Sequence, residues 1–207
     1  MNKQSFIKLL KTNPEYFTIA VPELGKETEC SRNHDGSVWN HTLCMVKWVL
    51  KEYPDDIVLI TTVLFHDVGK PACQTWDEAK QKYRFFDHDK IGAVMLEYNI
   101  LNRRMFDFLT DEDKAGIVWL VKNHMVAHTY ANTMNSPRYI RKFIEKNMSQ
   151  EAEGLGSDPV TRFAQLGQLA IYDTFSNHPG DEKTSDDYKR HECFRNSLVK
   201  LATEYID

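Results

Sequence analysis

The stretch Leu64-Phe65-His66-Asp67-Val68-Gly69-Lys70-Pro71 decides how the rest of the chain is read. An apolar run ends in a histidine and an aspartate, and a glycine, a lysine and a proline follow at once. Either the pair closes a helix as two satisfied polar residues, or it is half of a metal site. The other helices choose between these readings by what they carry on their apolar faces.

Hydrophobic spacing favours helices almost throughout. A short helix is expected over 3–11, ending before Asn13-Pro14, and 18–37 reads as irregular, with Pro22, Gly25, Asn33 and Gly36. Residues 38–53 repeat at helical spacing. Pro54 suits the first position of the next helix, which runs to Val68 and is stopped by Gly69 and Pro71. Residues 73–86, CQTWDEAKQKYRFF, alternate around a polar centre with aromatic residues on both sides, which predicts a small β-hairpin or an ordered loop. Asp87 can cap a helix to about Leu101. The acidic turn Thr110-Asp111-Glu112-Asp113 suits the N-terminus of another, running to about Met125. Residues 127–136 read as loop, and Ser136-Pro137 opens a basic helix to about Asn147. GLGSDP at 154–159 is a break, followed by a helix to about Ser176, a polar loop and a last helix. With no internal repeat and no clear linker, the expectation is one all-α domain over 1–207 with a small β element.

Composition is that of an ordinary globular protein, 42% hydrophobic and 27% charged, and the net charge of −4 does not advertise nucleic-acid binding, although it leaves room for a local basic patch. Cys30, Cys44, Cys73 and Cys193 form no CxxC pair, which suits a reduced, intracellular protein. The N-terminus lacks the pattern of a secretory signal and no apolar run approaches a membrane span, so a cytoplasmic protein is expected.

In each helix one polar residue falls on the apolar stripe. His41 shares a face with Met45, Trp48 and Val49, and His66 with Leu59, Thr62 and Val63. His88 lies over Ile91, Gly92 and Met95, His124 over Ile117, Leu120 and Val121, and Asp173 over Leu166, Leu169 and Ala170. A lone histidine there is usually a satisfied core residue. Buried carboxylates are harder to explain, because an unpaired one is costly. Together with Asp67, these groups would leave many unmet polar demands without a cation, and a divalent metal meets them at once. Nitrogen and carboxylate donors without thiolate suit Mn, Fe, Co, Ni, Zn or Mg.

The order His41, His66-Asp67, Asp173 resembles the H…HD…D pattern of the HD-domain metal-dependent phosphohydrolases. HDGSVWNHTL (34–43), LFHDVGKP (64–71), FFDHDKIGAVM (85–95) and VWLVKNHM (118–125) resemble successive blocks of the HD domain of bacterial CCA-adding enzymes, the tRNA nucleotidyltransferases. The likeness covers about 20–180 and implies an HD-type helical bundle. It implies one or two divalent ions, with His41, His66, Asp67 and Asp173 as ligands of one metal, His88 and His124 as additions that admit a second, and Asp67 then as the bridge between the two. It implies Lys70 as a phosphate contact and His34 as a residue at the pocket mouth. The block around His88 reads DHD where such domains often have GHE, and the histidine is intact. A nucleotidyltransferase head needs a Gly-Ser turn followed by paired acidic ligands. Gly36-Ser37 and Gly156-Ser157 lack that sequel and the chain is too short to hold the head, so CCA addition is not expected. The segment after residue 180 has no counterpart.

The resulting expectation is a phosphohydrolase using metal-activated water, with Asp67 and Lys70 as catalytic residues and a nucleotide or phosphorylated RNA end, such as a 2′,3′-cyclic phosphate, as substrate. Arg138 and Arg141, with Lys142, are candidate phosphate contacts, with a solvated basic face as the plainer reading. His128, His178 and His191 read as surface. Trp39, Trp48 and Trp119 read as core, and Trp76 as the better base-stacking candidate. The rival functions are a nucleotidase or deoxynucleoside triphosphate hydrolase, and a non-catalytic metal- or nucleotide-binding module. No membrane association and no protein partner is inferred.

Overall fold

The computed structural model describes residues 1–26, 38–131, 136–150, 153–175 and 186–206. Its helices are α1 (Lys3–Thr12), α2 (Tyr16–Ala20), α3 (Val38–Glu52), α4 (Ile57–Phe65), α5 (Lys70–Cys73), α6 (His88–Tyr98), α7 (Asp111–Thr129), α8 (Pro137–Ser149), α9 (Pro159–Phe175) and α10 (Asp186–Ile206). Between α5 and α6 lies one antiparallel hairpin, β1 (Gln74–Asp77) and β2 (Lys82–Phe85). The all-α reading with a β element at 73–86 therefore holds. Among the described residues no helix is long and apolar enough to cross a membrane.

The central helix is α4. Every residue from Val58 to Phe65 is buried, as expected of a helix apolar on all sides. Pro54 does not begin it. Asp56 does, its carboxylate accepting the Leu59 amide at 2.9 Å and the Gln165 side-chain amide of α9 at 2.8 Å. The side chain thus caps one helix and ties it to another, which a proline could not do. Around α4 pack α3, α7 and α9, and α6 and α10 flank α7 and α9 respectively. At one end Phe6 of α1 meets Phe17 edge-on, with ring centroids 5.1 Å apart, and sits 6.0 Å from Phe106.

Three further boundaries differ from expectation. α4 ends at Phe65, short of the expected Val68, and Gly69 and Pro71 do not stop it but start α5, with Pro71 in its first turn, where its missing N–H costs nothing. Asp87 precedes α6 in a left-handed conformation (φ 58°) and makes no capping bond, binding Lys90 instead. A full capping box does form at Thr110 and Asp113, and α7 runs one turn beyond Met125 to Thr129, into what reads as loop. That extra turn carries His128 toward the interior.

Candidate metal centre

The imidazoles and carboxylates on the apolar faces converge. His41 comes from α3, His66 and Asp67 from the turn after α4, His88 from the first position of α6, His124 from α7 and Asp173 from α9. They form two adjoining groups, His41 with His66 and Asp173, and Asp67 with His88 and His124, the donor atoms in each lying within 4.8 Å of one another. His41 Nε2 is 2.9 Å from Asp173 Oδ1, and His66 Nε2 is 3.7 Å from the same oxygen. Asp67 stands between the groups. Its Oδ2 is 3.2 Å from His66 Nε2, and its Oδ1 is 3.3 Å from His88 Nε2 and 3.9 Å from His124 Nε2.

The rings are oriented by their own helices. Nδ1–H of His66 donates to the Val63 carbonyl at 2.9 Å, that of His88 to Phe85 at 2.7 Å and that of His124 to Val121 at 2.7 Å. A carbonyl can only accept, so each faces a protonated Nδ1, and in the neutral ring each Nε2 presents a lone pair to the cluster. This accounts for two features that would otherwise be unfavourable. His66 Nε2 is fully buried with no hydrogen bond. His88 Nε2 and His124 Nε2 face each other at 3.1 Å, two acceptors end to end when both rings are neutral. A divalent cation fits both, since it supplies the missing electrophile to each lone pair.

Charge is concentrated on the same atoms. Burial alone would raise Asp67, but the His66 ring, when protonated, and the Lys70 ammonium hold it well below the usual carboxylate range. Asp173 behaves alike, burial being outweighed by His128 and His41. His124 is pushed down to about 3 by burial and by the adjacent His88 and His66, so its ring is neutral and available as a ligand.

One seam sets the spacing. Gly69 has an ordinary φ of −78°, so it is not there to permit a turn. A Cβ at this position would lie 2.2 Å from the His88 carbonyl oxygen and 2.7 Å from the Gly92 amide nitrogen. A Cβ at Gly92 would meet Gly69 N at 3.3 Å and the side chains of Val121 and Val68 at 3.4 Å. The glycine pair lets the turn carrying His66 and Asp67 lie backbone to backbone on the first turns of α6, and so brings His88 to Asp67.

With this geometry in place, the HD domain family model matches residues 38–170, more than half of the chain. The chain belongs to the HD domain family. It therefore falls in the metal-dependent phosphohydrolase superfamily, whose domains bind divalent metals. It is 35% identical over 100 residues to the CC-adding tRNA nucleotidyltransferase of Thermus thermophilus, a match covering 44% of this chain and 22% of that protein. It is 29% identical over 160 residues to the A-adding tRNA nucleotidyltransferase of Deinococcus radiodurans, covering 72% of this chain and 36% of that one. The matched part is thus a minor share of either relative's length.

The remaining residues singled out from sequence fall in several places. His34, His178 and the Gly36-Ser37 pair lie outside the described residues. Lys70 is buried at 7% exposure, its ammonium 2.5 Å from Asp67 Oδ2. Arg138 and Arg141 are exposed on α8, and Arg141 pairs with Glu204 of α10 at 3.2 Å. Trp39 and Trp119 are core, Trp48 is half-buried against Tyr172, and Trp76 is exposed.

His128 and His191 are not surface residues. His128 Nε2 reaches Asp173 Oδ2 at 2.5 Å. Thr174 Oγ1 lies 3.4 Å from His128 Nδ1 and 3.2 Å from His191 Nε2, and His191, only 1% exposed, donates from Nδ1 to the Asp187 carbonyl at 2.9 Å. A polar chain thus runs from Asp173 to α10, beyond the part of the chain that the family model covers. His128 holds one oxygen of Asp173 so that the other faces His41 and His66. Such an outer partner is worth roughly 10–100-fold in metal affinity. His128→Ala should lower affinity for Mn(II) by about that factor in chelator competition, while His128→Gln, which keeps an N–H donor, recovers most of it. Equal affinity in all three proteins would refute the role.

Proposed function

We propose that this protein hydrolyses a phosphodiester or phosphomonoester of a nucleotide or RNA end, for example a 2′,3′-cyclic phosphate, with one or two divalent ions held by His41, His66, Asp67, His88, His124 and Asp173. The observation that carries the reading is the pair of adjoining, buried donor groups joined by Asp67, with a lysine at its edge. A bound divalent ion supplies a Lewis acid and lowers the pKa of water toward neutrality.

The chain's own residues do the rest. The carbonyls of Val63, Phe85 and Val121 keep three imidazoles in the tautomer that donates electron pairs inward. Asp67 offers one oxygen to each donor group and so keeps them in register. Lys70 places a positive charge against Asp67 Oδ2, where it offsets charge that develops on the phosphoryl oxygens. Arg138 and Arg141 are not needed for this and take no assigned part. The nucleotide character of the substrate is supported by relatives named for tRNA substrates. An intracellular location is supported by the free thiols of Cys44, Cys73 and Cys193.

The test is metal analysis of the purified protein together with a hydrolysis panel of 2′,3′-cyclic nucleotides, 3′- and 5′-monophosphates and deoxynucleoside triphosphates, each with Mn, Co, Ni, Zn and Mg. Turnover of cyclic or monoesterified phosphates above triphosphates is the expected result. Preferred release of triphosphate would shift the reading to a triphosphate hydrolase. Full metal occupancy with no turnover of any substrate would replace it with a binding module.

A further inference from the structure

The hairpin β1–β2 follows Lys70 by a single short helix and leads directly into His88. Its register pairs Gln74 with Phe85, Thr75 with Arg84, Trp76 with Tyr83 and Asp77 with Lys82. Strand alternation sorts these residues onto two faces. Thr75, Asp77, Lys82 and Arg84 make a polar face that satisfies itself, Arg84 Nε donating to Asp77 Oδ2 at 3.0 Å. Trp76, Tyr83 and Phe85 share the other face. The Trp76 and Tyr83 rings meet edge to face with centroids 5.0 Å apart.

This aromatic face is unusual in two ways. Among the described residues, none of the three belongs to the apolar core or packs against it, and Trp76 is 45% exposed. A two-stranded hairpin is marginal by itself, so aromatic residues would be expected to anchor it inward. The face is also continuous with the candidate metal centre. The Lys70 ammonium stands 5.9 Å over the Phe85 ring, and the Phe85 carbonyl accepts the His88 ring proton. One end of the face therefore lies where a phosphate would sit, and the other, one strand repeat of about 6.7 Å further out, presents an open indole.

We propose that Trp76, backed by Tyr83, is a stacking platform for the nucleobase of the nucleotide whose phosphate occupies the metal centre, making the substrate a base-bearing phosphate ester and not a bare sugar phosphate. This rests on the phosphate-ester reading above and adds to it the element that recognises the base. A flat, sequence-tolerant π surface takes an unpaired base, so the fitting ligand is a mononucleotide or a single-stranded nucleic-acid end. A duplex end, whose bases are already stacked, does not fit.

Calorimetric titration of the Mn(II)-loaded protein with adenosine 5′-monophosphate and with ribose 5-phosphate separates the two layers of the argument. The wild type should bind the nucleotide roughly 5- to 150-fold more tightly than the sugar phosphate. Trp76→Ala should erase that difference, and Trp76→Phe should keep most of it. Nucleotide should quench the tryptophan fluorescence of the wild type, and the quench should vanish in Trp76→Phe although binding persists. Equal affinity for the two probes in the wild type, or an unchanged ratio in Trp76→Ala, overturns the platform while leaving the phosphate reading intact. Failure of both probes to bind overturns both.

Discussion

Asp67→Ala is expected to strip the protein of metal and of hydrolysis together, and to unfold it at lower temperature for a separate reason. The aspartate touches both donor sets, through Oδ2 to His66 and Oδ1 to His88 and His124. Its loss should cost more than the 10–100-fold in metal affinity assigned to outer partners. It also leaves the buried Lys70 ammonium without its carboxylate. Removing one member of a buried pair costs about 3–5 kcal/mol, or roughly 6–20 °C in Tm for a chain of this size. The double variant Asp67→Ala, Lys70→Met removes the charge that this carboxylate balanced, so it should regain most of the thermal stability and none of the metal. Metal content by mass spectrometry and Tm by calorimetry on the two variants read these effects apart. A single variant that retains full metal occupancy would end the case for this centre.

Gly69→Ala should be nearly as damaging, although the residue touches no donor atom. The added methyl would sit 2.2 Å from the His88 carbonyl oxygen and 2.7 Å from Gly92 N, both main-chain atoms that cannot swing aside. The turn and α6 must separate, which costs about 1–3 kcal/mol and moves His88 away from Asp67. The result expected is a Tm lowered by roughly 2–12 °C with a reduced metal content. Gly92→Ala meets softer neighbours, with its closest approaches at 3.3–3.4 Å and two of them valine methyls, so it should cost less than half as much. Equal effects from the two substitutions would show that the seam is not what spaces the site.

The contrast between these glycines and the ligands shows what the sequence can carry. The donor residues were legible because each is a polar side chain on an apolar helical stripe, a local pattern. The hairpin was legible for the same reason, since alternation is local. Asp56 as the true start of α4 was not, because its carboxylate is held by Gln165 of α9, far along the chain. The close packing that requires a glycine at 69 was not legible either, because the atoms that exclude a side chain there belong to α6. His128 and His191 were missed although signals existed. His128 lies one turn after His124 on α7, and His191 continues the stripe of Phe194, Leu198 and Leu201 on α10, all buried. Reading 127–136 as loop hid the first, and the lack of a matching block hid the second.

The ring-to-carbonyl bonds of His66, His88 and His124 have a consequence for how such a centre changes over time. Each of these three candidate ligands is aimed by a carbonyl three residues earlier in its own segment, so aim is inherited with the segment and does not depend on its neighbours. What the neighbours decide is only how far apart the aimed atoms stand. The two properties can then vary separately: substitutions along the seam between the Gly69 turn and α6 should retune which ion fits and how tightly, with every ligand left in place and still pointing inward. A screen for altered metal preference should therefore be directed at the packing residues Val68, Gly92 and Val121 before the histidines themselves.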